Sequence, residues 1–243
     1  MSDGVPFCTD RRTGQLRAPR NSAPAQAGPW DVKRALKPFY APTNHDWELV
    51  EVPPQRYIAV DGRGDPNTAA GYAEAVAALY AVAYGIKFAG RRVLGRDLVV
   101  GPLEGLWYAD DASVFTAGAK AEWRWTMLIS QPDWVTDAFI AEAVSAALGK
   151  KKLPGLALVR VENLEEGLSA QLLHLGSYDA EAPVLACLHG EYLHQNGLRL
   201  NGRHHEIYLG DPRRVEPAKL KTVLRQPVQP VRPAPAVRGR YPG

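Results

Sequence analysis

The sequence predicts an α+β fold in which two βαββ halves form a curved, mostly antiparallel sheet backed by helices. Three observations predict it. Between two terminal stretches, the apolar pattern switches repeatedly between a period of two and a period near 3.6, the signatures of strands and helices. The segment from Tyr57 through the first long helix and the segment from Gln171 to Asn196 share one plan: strand, Gly-containing polar turn, helix, return strand. A chain of 243 residues that is 46% apolar is also long enough for one compact domain with a real core.

Residues 1–30 are rich in Arg, Ala, Pro, Gly and Ser without periodicity and are expected to form a disordered tail. The domain is expected over 31–225. Tyr57-Ile-Ala-Val60 is a strand closed by Asp61, Gly62 and Gly64, and Asp65 to Thr68 offers N-cap residues for a helix over 69–88. On that helix Tyr72, Val76, Leu79, Ala83 and Ile86 form one apolar stripe, flanked by Tyr80 and Tyr84. Leu98 to Ala109 reads as a strand that Pro102 and Gly105 bend or bulge. Trp123, Trp125, Met127 and Ile129 alternate with polar residues as a strand with one apolar face, ended by Gln131-Pro132-Asp133.

A second helix runs over 134–148 and closes at Gly149, with Lys150 to Lys152 suited to its dipole. Leu156 to Val161 and Leu168 to Leu175 read as strands joined in a hairpin through Glu165-Glu166-Gly167. A helix over 181–196 follows, then a strand from His204 to Leu209 and a short helix over 217–224. From 226 to 243 Pro alternates with Arg and Val, which favours a second, solvated tail.

The net charge of +3 implies no broad basic surface, so nucleic acid is not an expected partner. Cys8 and Cys187 are too few and too far apart for a disulfide framework. No apolar stretch has the form of a signal peptide or a membrane span, and no helix-turn-helix pattern precedes the domain. The expectation is a cytoplasmic protein, monomer or homodimer, that engages neither membrane nor DNA. Walker, GxSxG, HExxH and paired CxxC motifs do not occur. His189, Glu191 and His194 suggest a metal triad, but residues two apart on a helix point about 200° away from each other. Neither a metal nor a cofactor is expected.

In the strand His204-His205-Glu206-Ile207-Tyr208-Leu209, Glu206 and Tyr208 share one face while His205, Ile207 and Leu209 take the other. The apolar set is expected to pack on helices, leaving Glu206 and Tyr208 on a solvated concavity. An ordinary exposed sheet face with a surface glutamate fits the same pattern. Trp107 and Tyr108 follow Glu104 closely, and Trp123 and Trp125 share a strand face. Any one tryptophan is usually core, yet several on adjacent strands near Glu104 and Glu206 suit a planar or cationic organic molecule. Rings supply stacking area, and a carboxylate supplies charge or a general base.

The segment Gly202-Arg-His-His-Glu-Ile-Tyr-Leu-Gly-Asp-Pro through Pro227 resembles the C-terminal signature of GyrI-like proteins. So do Pro102-Leu-Glu-Gly-Leu-Trp107, Trp123-Arg-Trp-Thr-Met127 and Gln131-Pro132-Asp133, all in the expected order over about 37–228. The resemblance implies a pseudo-twofold between the halves and a ligand pocket in the groove between them. Some members sense multiple drugs, holding aromatic cations beside a buried glutamate, and others bind gyrase. A stand-alone branch resembles cyclopropanoid cyclopropyl hydrolases, which add water to the cyclopropane of DNA-alkylating natural products and so protect the cell. Carried onto this chain, the family glutamate falls on Glu206 with Tyr208 beside it. The aromatic wall falls on Trp107, Trp125 and Trp123, and Tyr80 or Tyr84 completes the site. Tyr108 departs from the Trp expected in close relatives, which changes pocket size. Catalytic roles are thus expected for Glu206, Tyr208, Tyr80 and Tyr84, and substrate contacts for Trp107, Trp123, Trp125, Tyr108 and Glu104.

Overall fold

The structure, a computed structural model, describes residues 28–111 and 118–231. Most of the two expected tails therefore lies outside the described residues. The strands are β1 (Glu48–Val52), β2 (Gln55–Arg63), β3 (Leu103–Tyr108), β4 (Arg124–Gln131), β5 (Arg160–Leu164), β6 (Gly167–Leu175), β7 (Leu198–Leu200), β8 (His204–Tyr208) and β9 (Lys221–Pro230). They form one sheet in the order β1-β6-β9-β8-β3-β4-β2-β5, with β7 added on β9, and every strand pair is antiparallel. The helices are α1 (Val32–Ala35), α2 (Lys37–Tyr40), α3 (Ala70–Ala89), α4 (Asp137–Leu148) and α5 (Ala182–Cys187), the last continued by a π turn, Leu188–Tyr192, and a final turn, Leu193–Gln195.

The order contains the two βαββ halves. β2-α3-β3-β4 matches β6-α5-β8-β9, and the halves meet where β3 pairs with β8 at the centre of the sheet. Residues paired across a ladder share a face. Gly105 stands opposite Glu206, Trp107 opposite both His204 and Trp125, and Gly62 opposite Trp125. One face therefore carries Glu206, Tyr208, Trp107, Trp125 and Met127. Its partner face carries His205, Ile207, Glu104, Leu106 and Arg225.

Both faces are covered, which corrects the expected solvated concavity. Alanine-rich α3 buries Ala75, Ala78, Leu79, Val82, Ala83 and Ile86 against Ile58, Val60, Trp107, Trp125 and Met127. α5 and its continuation pack Leu188 and Leu193 on Leu172 and Leu224 of the same face. The long helices thus lie on the Glu206 side, while Ile207 on the opposite side packs with Val32, Phe39 and Tyr40 of α1 and α2. The N-terminal boundary also moves outward. Trp30 bridges to Leu98 and is partly buried between two core clusters.

Three further expectations change. β5 and β6 form no hairpin: β5 pairs with β2 and β6 with β1 and β9, so Glu165-Glu166 links distant parts of a strongly curved sheet. Gly105 makes no bulge, because the β3 ladders run without interruption on both sides. The region expected to hold a terminal helix and the start of a tail is a 3-10 turn, Pro217–Lys219, followed by β9, with Gln226, Pro227 and Val228 buried. Pro227 is tolerated in this inner strand by its position. Its carbonyl accepts from Asn201 N, so its nitrogen points at the break between β7 and β8, where no ladder bond is lost.

Candidate functional site

The face beneath α3 and α5 gathers carboxylates and aromatic rings around the β3–β8 junction. Period-two alternation on β8 places Glu206 and Tyr208 side by side, and the Tyr208 hydroxyl donates to Glu206 Oε2 at 2.7 Å. The Trp107 indole N–H donates in turn to the Tyr208 oxygen at 3.0 Å. Gly105 makes this contact possible. A Cβ there would lie 3.0 Å from Trp107 Nε1 and 3.1 Å from the Tyr208 oxygen, so any other residue would wedge the two apart. Burial, and then the Glu206 charge, raises the Tyr208 phenol well above its ordinary value, so its proton stays in place as a donor.

Other elements complete the cluster. Trp123 meets Trp107 edge to face at a centroid distance of 5.7 Å. Trp125 is buried with its ring lying over Gly62, where a Cβ would stand 2.1 Å from the ring, and Tyr72 of α3 meets that ring edge-on at 5.3 Å. Tyr178, in the 3-10 turn Tyr178–Glu181 ahead of α5, meets Tyr208 edge-on at 5.5 Å. Glu181, on that turn, is 4% exposed, and its Oε1 has no hydrogen-bond partner among the described residues. Burial and then the charge of Glu206 push its carboxyl up to about 9. His204 Nε2 stands 3.5 Å from Glu206 Oε1.

Glu206, Tyr208, Trp107, Trp123 and Trp125 thus share one face. Glu104 and Tyr108 do not, because alternation along β3 turns them to the other side. Glu104 is fully buried there, accepting from the Tyr40 hydroxyl at 3.0 Å and paired with His205 Nε2 at 3.0 Å, while the Arg203 guanidinium lies over the Tyr108 ring. Tyr84 also stays outside the cluster, 47% exposed and stacked on Phe88. Tyr80 is half-buried, with Tyr84 on one side and the charges of Asp211 and Arg213 nearby. The helix tyrosine that reaches Trp125 is Tyr72. A signal for it existed in the sequence: α3 starts just after β2, beside the Gly62–Trp125 pair, so its first turn lies at the site. Tyr80 sits about 12 Å further along the helix axis at 1.5 Å per residue. Nothing local marks Tyr178 or Glu181.

The opposite face holds a buried ionic network between its apolar clusters. His205 sits between two carboxylates, with Nδ1 2.9 Å from Glu166 and Nε2 3.0 Å from Glu104, and Arg225 donates to Glu166 at 2.8 Å. Against burial, which lowers it, the charges of Glu166 and Glu104 hold the His205 imidazole up at about 8. A cavity of 140 Å³ lined by Leu106, Glu166, Gly202 and Arg203 opens beside this network, away from Glu206.

The family model for the GyrI-like small-molecule-binding domain matches residues 45–229. The chain belongs to the GyrI-like family. This GyrI-like chain is similar to three solved Listeria innocua structures, each covered over its full length. One is a conserved protein at 38% identity over 82% of this chain, with a TM-score of 0.75. The other two are hydrolases, at 37% identity over 82% with a TM-score of 0.71 and at 36% over 83% with a TM-score of 0.72. No curated protein matches the GyrI-like chain. Among its described residues no helix is long and apolar enough to cross a membrane.

Proposed function

We propose that this GyrI-like protein is a hydrolase that opens the strained cyclopropane of cyclopropanoid DNA-alkylating natural products by adding water. The observation that carries the reading is Glu206, a carboxylate held by the Tyr208 hydroxyl, which is itself fixed by the Trp107 indole, in a wall of aromatic rings. Trp107, Trp123 and Tyr72 stack the flat substrate, and Glu206 accepts a proton from the attacking water. The Trp107–Tyr208 bond fixes the carboxylate before substrate arrives, so little reorganisation is left for the reaction itself. Similarity to two Listeria hydrolases supports the choice of an enzyme.

A second reading is non-catalytic sequestration or sensing of aromatic or cationic drugs. It is favoured by Glu181 lying within range of Glu206, since two carboxyls among rings suit an organic cation. Incubation with a cyclopropanoid alkylator, following ring-opened product for wild type and Glu206→Gln, separates the two. Turnover above the buffer rate that falls about 10²- to 10⁴-fold in Glu206→Gln supports the hydrolase. An inert wild type that binds aromatic cations, and loses them in Glu206→Gln, is the result that replaces it with the binding protein.

A further inference from the structure

Ring opening needs an acid as well as a base. As water attacks, the electron pair of the breaking C–C bond passes into the conjugated carbonyl and arrives on its oxygen, which must be protonated or strongly hydrogen-bonded. Tyr208 is badly placed for that task, because its single proton is committed to Glu206 at 2.7 Å and its oxygen already accepts from Trp107. A second buried carboxyl, Glu181, lies on the turn that packs beside Tyr208. We propose that Glu181, at the head of α5, is the catalytic acid of this site, giving its proton to the substrate oxygen while Glu206 takes one from water. The assignment rests on the hydrolytic reading of the Glu206 site.

The geometry supports it in three ways. Glu181 shares a turn with Tyr178, whose ring lies against Tyr208, so the turn brings it to the same junction. It adjoins Thr222, which pairs directly with Tyr208 across the β8–β9 ladder, although the Thr222 hydroxyl is not in hydrogen-bond geometry with it. Its buried Oε1 is left without a partner among the described residues. A buried carboxyl with spare hydrogen-bonding capacity is costly unless it is neutral or meets a ligand.

The groups that face Glu181 act in the same direction. Burial, the charge of Glu206 and that of Asp179 all raise its carboxyl, and only Thr222 opposes them, leaving it at about 9. It therefore holds its proton at neutral pH beside a second carboxyl that is hydrogen-bonded as an acceptor, the division of labour an acid–base pair requires. The phenols nearby compete poorly as donors. Tyr178 is raised to about 12 and Tyr72 higher still, both by burial first, so each is a weaker acid than Glu181.

The step balances. The water oxygen bonds to the cyclopropane carbon as the ring C–C bond breaks, and the water proton passes to Glu206. The released electron pair reaches the carbonyl oxygen, which becomes a phenol with the proton of Glu181. Glu206 then carries a proton that Glu181 lacks, and one proton returned through solvent resets the pair.

The test is kcat/KM for a cyclopropanoid alkylator from pH 5 to 10 in wild type and Glu181→Gln, with binding of the ring-opened product followed by tryptophan fluorescence. Gln has the shape of a neutral Glu, so product binding should be kept. The rate should fall about 10²- to 10⁴-fold at pH 7, and the wild-type decline above about 9 should vanish. Substrates that release a more acidic phenol should lose less. Infrared spectra of the wild type at pH 7 should show a protonated carboxyl band that titrates near 9, whatever variant is available. An active wild type with Glu181→Gln keeping its rate or its alkaline decline overturns Glu181 as the acid and leaves the hydrolase standing. So does a Glu181 found ionised at pH 7. An inert wild type removes the hydrolytic reading and this assignment with it.

Discussion

Replacing Arg225 with Met tests whether the inner ionic network holds the fold together. Arg225 is fully buried. It donates to Glu166 at 2.8 Å, to Gln171 Oε1 at 2.9 and 3.0 Å and to the Phe39 carbonyl at 2.7 Å, joining β9 to β6, to the β5–β6 link and to α2. With His205 protonated, two cations oppose Glu104 and Glu166. Arg225→Met fills similar volume but leaves one buried negative charge unmatched, which costs about 3–5 kcal/mol. At roughly 2–4 °C per kcal/mol for a domain of this size, Tm should fall by about 6–20 °C. The loss should depend on pH. Burial works to raise Glu166, but the charges of His205 and Arg225 outweigh it and hold the carboxyl at about 2. In wild type this contribution is complete above the unfolded carboxylate range and is lost as pH falls from about 4.5 through 2. Without Arg225 the carboxyl protonates sooner, so the gap between variant and wild type should narrow below about pH 4.5. Urea and thermal melts of Arg225→Met, Glu166→Gln and the double variant from pH 3 to 8 provide the measurement. The double variant should lose less than the sum of the singles, since it removes both charges. A loss under about 1 kcal/mol at pH 7 for Arg225→Met, or strict additivity, refutes the network as a structural element.

Two further outcomes follow from the same geometry. Gly105→Ala should keep the fold and weaken small-molecule binding, because its Cβ meets Trp107 Nε1 at 3.0 Å and the Tyr208 oxygen at 3.1 Å; unchanged tryptophan quenching by an aromatic ligand contradicts this. Because the folded His205 is held up at about 8, its share of stability is complete below the unfolded value of 6.5 and is lost as pH rises through 8, so wild-type melts should weaken over that window and His205→Gln melts should not.

The parts of the fold that were legible are those with a clean period or a β-prone run closed by turn residues. β4 and β8 alternate, β2 and β6 are short apolar runs bounded by turn residues, and α3 and α4 carry apolar stripes, so each was placed within a few residues. β9 was missed because buried polar residues, Thr222, Arg225 and Gln226, interrupt its apolar Val223, Leu224 and Val228. Arg225 belongs to the ionic network, and Gln226 and Pro227 made the strand read as a tail. The β5–β6 hairpin failed for a related reason: a local turn signal at Glu165-Glu166-Gly167 cannot show that sheet curvature carries the chain to a new partner strand. At the site, alternation alone put Glu206 with Tyr208 and Trp123 with Trp125, while Trp107 was joined to them only by the family resemblance. Alternation also separates Glu104 and Tyr108 from Trp107, a consequence of β3 that nearness in sequence obscured. Tyr178 and Glu181 were out of reach because only tertiary packing of their turn brings them to β8.

The two faces of β8 depend on each other. A five-residue strand with Ile207 as its one buried aliphatic residue has little apolar alternation to fix its register, and a slip of one residue would exchange its faces. His205 supplies the missing specification. It is clasped at both ring nitrogens by Glu104 and Glu166, and a slip would break both contacts, bury Glu206 among the carboxylates and carry the imidazole under α3 and α5. The polar core on one side of the sheet is therefore what keeps the Glu206 carboxylate on the other side, beneath the helices and against Tyr208.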